Sequence, residues 1–281
     1  MERIVLGYDG SPASVSALSW VAARAGREVA SVGLVNVVGR SAKDRASALD
    51  QLAHAEEFLR ERAPGVGVEL HRLEGGTPES LADFAADTDL LVIGINPGHP
   101  IRAAMAGAMP LRLSTTARVP VVMVPAAWVD LGEPVTIGIS DDDSSSAALA
   151  FAAAEADATR SAIRLVHAWL MPTPSFAGTT ALALTPDAAM AEHRGTLDAA
   201  MSWVTERYPR LELQSELVRD SQSAALLRYG ARSSMLVMGT HHRGVLAGSL
   251  LGSVVQEVLW RAECPVAVVP RGAAESRHEE D

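Results

Sequence analysis

The sequence predicts an α/β protein made of two tandem doubly wound parallel five-stranded sheets, each with helices on both faces. Three observations carry this prediction. The chain repeats itself, strand-like runs alternate with helical ones, and several of the strand-like runs are apolar throughout. Strands covered on both faces read as continuous apolar runs. Right-handed crossovers then wind such a sheet into a sandwich.

The repeat fixes the organisation. "ERIVLGYDGSPASVSALSWVA" near the start is echoed by "EPVTIGISDDDSSSAALAFAA". Gly7 falls on Gly138, Leu18 on Leu149 and Trp20 on Phe151, all 131 residues apart. Later landmarks lie 145 residues apart: "ERAP" on "ERYP", Gly94 on Gly239, Gly107 on Gly252 and Pro120 on Pro265. The change of offset marks an insertion of 14 residues within "WLMPTPSFAGTTALALTPD". The domains are therefore expected at 1–130 and 131–272, with a polar tail at 273–281.

In each copy a short apolar strand ("RIVLGY", "VTIGIS") leads through a Gly/Ser/Asp turn into an Ala-rich helix. A second strand ("VASVGLVNVV", "AIRLVHAW") precedes a longer helix that stops before Pro64 or Pro209, since proline cannot continue it. A third strand, a short helix and a fourth strand ("LLVIGI", "MLVMGT") come next. A glycine-bearing loop, a helix and a last strand ("VPVVMVP", "CPVAVVP") close the copy. Ligands in such sheets bind at the carboxyl ends of the strands, where the strand order switches. The loops after the first and fourth strands are thus the candidate site.

Composition narrows the function. A formal charge of −10 disfavours nucleic acid and anionic membrane surfaces as partners. The start "MERIVLGYDGSP" lacks signal-peptide design, and no apolar stretch reaches membrane-spanning length, so a soluble cytoplasmic protein is expected. The single cysteine, Cys264, leaves no intramolecular disulfide and reads as a buried small hydrophobe. No H-E-x-x-H spacing and no identifiable Ser/His/Asp arrangement is present, so neither catalytic residues nor a metal site is predicted.

On "VLGYDGSPAS", "GTHHRGVLAGSLLGSVVQEVL" and "CPVAVVP", the chain resembles the universal stress protein family in its tandem-domain form. The resemblance implies a Rossmann-like, adenine-nucleotide alpha hydrolase-like fold and a role in stress response. It also implies that the two final strands pair antiparallel, giving an internal pseudo-dimer; a homodimer through other surfaces stays open. Some members bind ATP or related adenine nucleotides through a G-x2-G-x9-G-[S/T] loop and an Asp after the first strand. Others lack the loop.

Matched residue by residue, the first copy keeps Asp9 but reads Gly94, Pro97, Gly107 and Ala108 along the loop. The second reads Gly239, His242, Gly252 and Ser253, with Ser140 in place of the acid. A proline offers no N–H to a phosphate, which favours loss of nucleotide binding in the first copy. His242 keeps its N–H, and Arg243 stands beside it. In the second copy, backbone donors of the 239–244 loop and the Gly252–Ser253 helix start would face phosphate, while Ser140 and Ala168 would face base and ribose. Val37 joins Asp9, Gly94 and Gly107 as the first copy's candidate contacts. Bland readings stand beside these: Asp9 as a turn or helix cap, His241 and His242 as a solvent-exposed turn. "SDDDSSS" reads either as a helix start or as carboxylates bridged to phosphate by Mg2+. The 170–187 insertion reads as a flap near the second pocket or as surface decoration. The rivals to nucleotide binding are a nucleotide-free interaction scaffold and, more weakly, a slow nucleotide hydrolase.

Overall fold

The computed structural model describes residues 1–27, 29–38, 42–97, 108–141, 145–170, 186–240 and 253–271. In the first half, β1 (Glu2–Gly7), β2 (Ala30–Val38), β3 (Gly67–Glu74), β4 (Leu90–Ile95) and β5 (Val121–Pro125) alternate with helices. Those helices are α1 (Pro12–Ala25), α2 (Ala42–Arg62), α3 (Thr77–Phe84) and α4 (Ala108–Thr116). The second half repeats this with β6 (Val135–Ile139), β7 (Ile163–Trp169), β8 (Leu213–Arg219), β9 (Met235–Gly239) and β10 (Val266–Val269). Its helices are α5 (Ser145–Thr159), α6 (Pro186–Arg207), α7 (Gln222–Gly230) and α8 (Ser253–Arg261).

The two five-stranded units join into one ten-stranded sheet, ordered β3-β2-β1-β4-β5-β10-β9-β6-β7-β8. Every pairing within a half is parallel. The junction is antiparallel, with Val266 opposite Met123 and Val268 opposite Val121. The apolar strands β5 and β10, buried along their whole length, therefore pair with each other. The outer strands β3 and β8 carry charges such as Glu69, Arg72, Glu216 and Arg219, which blunt the exposed edges.

Alternation along the strands divides the core into two layers. Ile4 and Leu6 face α1 and α2, and one continuous apolar layer runs on to Leu149 of α5 and Leu197 of α6. Val5, Leu91 and Ile93 face the other layer, with Leu81 of α3, Leu113 of α4, Leu226 of α7 and Val258 of α8. Each half is thus doubly wound. The repeated glycines Gly7 and Gly138 let the short helices approach: a Cβ there would lie 3.1 Å from Leu81 and 3.0 Å from Leu226.

Local chemistry sets the helix starts. Ser11 caps α1, its hydroxyl accepting from Ser14 N–H at 3.2 Å, with Pro12 in the first turn. Ser221 caps α7 in the same way through Ala224 N–H. No helix among the described residues is long and apolar enough to cross a membrane.

Candidate functional site

In both halves the candidate residues gather at the carboxyl ends of the central strands. The strand order switches between β1 and β4, and between β6 and β9. The helices that follow these strands lie on opposite faces, which opens a crevice at each switch. Because β5 and β10 pair antiparallel, the two crevices open at opposite ends of the strands.

In the first half, Asp9 follows β1 and folds back as an Asx turn, its Oδ1 accepting from Ser11 N–H at 2.9 Å. Burial alone would raise its pKa. Hydrogen bonds from the Ser11 hydroxyl and N–H and from Ser14 outweigh burial and hold the carboxyl below its ordinary value. Val37 is half-buried against the α3/α4 layer. Gly94 is a packing residue: a Cβ there would stand 2.1 Å from the carbonyl carbon of Ala13 and 2.5 Å from Ser14 N. The room left by its missing Cβ is taken up by the first turn of α1. Gly107 lies outside the described residues.

In the second half, Ser140 follows β6. Its N–H donates to Ser145 Oγ at 2.9 Å, and the two hydroxyls lie 3.1 Å apart. Ala168 is buried in the α7/α8 layer near the end of β7. Gly239 ends β9, and Ser253 opens α8 with its side chain exposed. Between them, His242, Arg243 and Gly252 lie outside the described residues, as do Asp142, Asp143 and most of the 170–187 insertion. Thr240 follows Gly239 directly. It is 5% exposed, and its hydroxyl has no partner among the described residues. The corresponding residue of the first half, 145 positions earlier, is the apolar Ile95.

The structure also assembles a group that sequence reasoning missed. His167, on β7, is fully buried, and its Nδ1 lies 2.9 Å from the Ile139 carbonyl. That oxygen can only accept, so Nδ1 carries a proton, and Nε2 is the nitrogen turned to the rest of the group. Nε2 lies 2.9 Å from His193 Nδ1 and 3.3 Å from Asp141 Oδ1. Asp141 Oδ1 is 3.4 Å from His193 Nδ1 and accepts from the Thr196 hydroxyl at 3.3 Å. His193 and Thr196 share the inward stripe of α6 with Leu197 and Ala200. Trp169, two residues beyond His167 on the same face of β7, stacks on the His193 ring at 5.2 Å. Asp141, read from sequence as a helix-start acid or a Mg2+ ligand, stands beside these two histidines.

The repeat contained the missing signal. At an offset of 131, Asp141 and His167 replace Gly10 and Asn36, and at 145 His193 replaces Ala48. Asn36 makes the equivalent contact, donating to the Tyr8 carbonyl at 2.8 Å.

Comparison with known proteins agrees with this architecture. The model of the universal stress protein family matches residues 1–125 and again 133–270. Universal stress protein Rv2623 of Mycobacterium tuberculosis is 28% identical over 291 residues, covering 94% of this chain and 95% of that protein. Rv2005c from the same organism is 28% identical over 196 residues, and that match spans 67% of this chain and only 64% of the relative's length. A crystal structure of a universal stress protein from Archaeoglobus fulgidus shares the fold with a TM-score of 0.73 at 17% identity, covering 96% of each chain. With two copies of the family domain in sequence and one shared fold across both, the chain belongs to the universal stress protein family, in its tandem form.

Proposed function

We propose that this protein is a stress-response protein that binds an adenine nucleotide, ATP or a relative, in the crevice between β6 and β9. The observation that supports this reading best is Thr240, a buried hydroxyl without a partner among the described residues, at the switch point directly after Gly239. A buried unpaired hydroxyl costs about 1–3 kcal/mol, and a ligand acceptor would relieve it. Ser253 at the start of α8 adds a second hydroxyl at the positive end of a helix, where phosphate is favoured. Ser140 and Ala168 line the carboxyl ends of the neighbouring strands. Where the nucleotide is ATP, Mg2+ enters on the phosphate oxygens, because the histidine-rich surroundings of Asp141 suit this oxygen-seeking ion poorly. In the first half, the filled space at Gly94 and the missing N–H of Pro97 favour a structural role without nucleotide.

Calorimetry with ATP, AMP and cyclic AMP in the presence of Mg2+ tests the reading. Ser253→Ala and Thr240→Val should each weaken binding about 10-fold, which is about 1.4 kcal/mol. Without nucleotide, Thr240→Val should raise the unfolding midpoint, because the unpaired hydroxyl is gone. Unchanged affinity in both variants would move the site elsewhere. Absence of heat from the wild-type chain would favour the interaction scaffold.

A further inference from the structure

We propose that Asp141, His167 and His193 form a zinc site, a feature of the second half alone. The proposal rests on these three side chains and is independent of the nucleotide loop. Their ligand atoms, Asp141 Oδ1, His167 Nε2 and His193 Nδ1, lie 2.9, 3.3 and 3.4 Å apart. Ligands held about 2.0–2.1 Å from a tetrahedral Zn2+ stand about 3.3 Å from one another. Two of the three separations already have this value. The third needs the imidazole nitrogens to part by a few tenths of an ångström.

The surroundings are those of a constructed site. The Ile139 carbonyl fixes the His167 tautomer that leaves Nε2 free to ligate, an outer hydrogen bond typical of metal-bound imidazole. Trp169 holds the plane of the His193 ring, and Thr196 orients the Asp141 carboxylate. His167 is fully buried whereas the Asp141 side chain is 58% exposed, so the group has a closed floor and an open rim. Two imidazoles and one carboxylate suit zinc and leave a fourth position for water or an anionic oxygen. All three ligands depart together from the first half, where Gly10, Asn36 and Ala48 stand instead. His167 faces α6 and Ala168 faces the α7/α8 layer, so the metal and the proposed nucleotide contact Ala168 lie on opposite faces of β7.

The first half supplies the test variants. His167→Asn retains a donor for the Ile139 carbonyl, and His193→Ala restores the small residue found at Ala48. Tag-free protein should bind one Zn2+ per chain by calorimetry and elemental analysis. Co2+ in its place should give the intense visible absorption of a tetrahedral site. Each variant should weaken Zn2+ binding by more than about 100-fold, since even loss of an outer partner costs 10–100-fold. Circular dichroism would confirm that both variants keep the fold. Ser253→Ala should weaken nucleotide binding and leave zinc binding unchanged, which separates this proposal from the previous one. Wild-type protein without stoichiometric metal, or zinc retained equally by His193→Ala, would overturn it.

Discussion

Single residues here are placed by what surrounds them more than by their own type. Cys264 is 5% exposed beside β10, and burial pushes its thiol up to about 12 despite nearby backbone donors. Unfolding returns the thiol to its ordinary range near 8.5. The stability contributed by the buried neutral thiol is fully present below that value and is lost as pH rises toward 12. A thiol reagent at pH 8 should therefore leave the native protein unmodified and react with one equivalent after denaturation. Rapid labelling of the folded chain would contradict the burial. Asp9 shows the opposite balance, its carboxylate kept ionised by the turn that it closes.

At the scale of elements, one glycine decides how closely α1 approaches β4. Gly94→Ala would drive a methyl into the backbone of Ala13 and Ser14, which cannot move aside as a side chain can. The expected loss is about 3 kcal/mol or more, against about 1 kcal/mol for Gly138→Ala, where only the Leu226 methyls must shift. Urea unfolding of the two variants checks the order, and equal losses would contradict it. The strands and helices were legible in sequence because apolar runs, Ser caps and prolines state them locally. Gly94 matches a family loop in sequence, yet its packing against α1 depends on a contact between residues 81 positions apart and becomes visible only in three dimensions. The Asp141, His167 and His193 group was hidden similarly. Its members come from three elements, and only the sheet register and the inward stripe of α6 bring them together.

Across the whole molecule, the halves are related by a pseudo-twofold axis but joined by an asymmetric charge network. Arg24 and Glu155 occupy equivalent positions, 131 residues apart, and pair with each other across the junction. Arg24 also forks onto Glu2, with two bonds of 2.9 Å, and Arg27 reaches Glu155 at 3.2 Å. Burial opposes the Arg24 charge, but the two carboxylates more than compensate and raise its pKa. Glu155→Ala should cost about 3–5 kcal/mol, because it leaves buried positive charge short of a partner. The charge swap Arg24→Glu with Glu155→Arg should not recover that loss, because it sets a carboxylate against Glu2 and a guanidinium against Arg27. A loss below 1 kcal/mol for Glu155→Ala in thermal unfolding would show that the network holds little of the junction.

Nucleotide binding in the crevice of the second half can be read directly by native mass spectrometry. Purified protein, sprayed with Mg2+ and ATP or AMP, should carry one adenine nucleotide per chain, and Ser253→Ala should need about 10-fold more nucleotide to reach the same load. A chain that stays empty at every nucleotide concentration, or a Ser253→Ala variant that loads as wild type does at each concentration, would contradict nucleotide binding there.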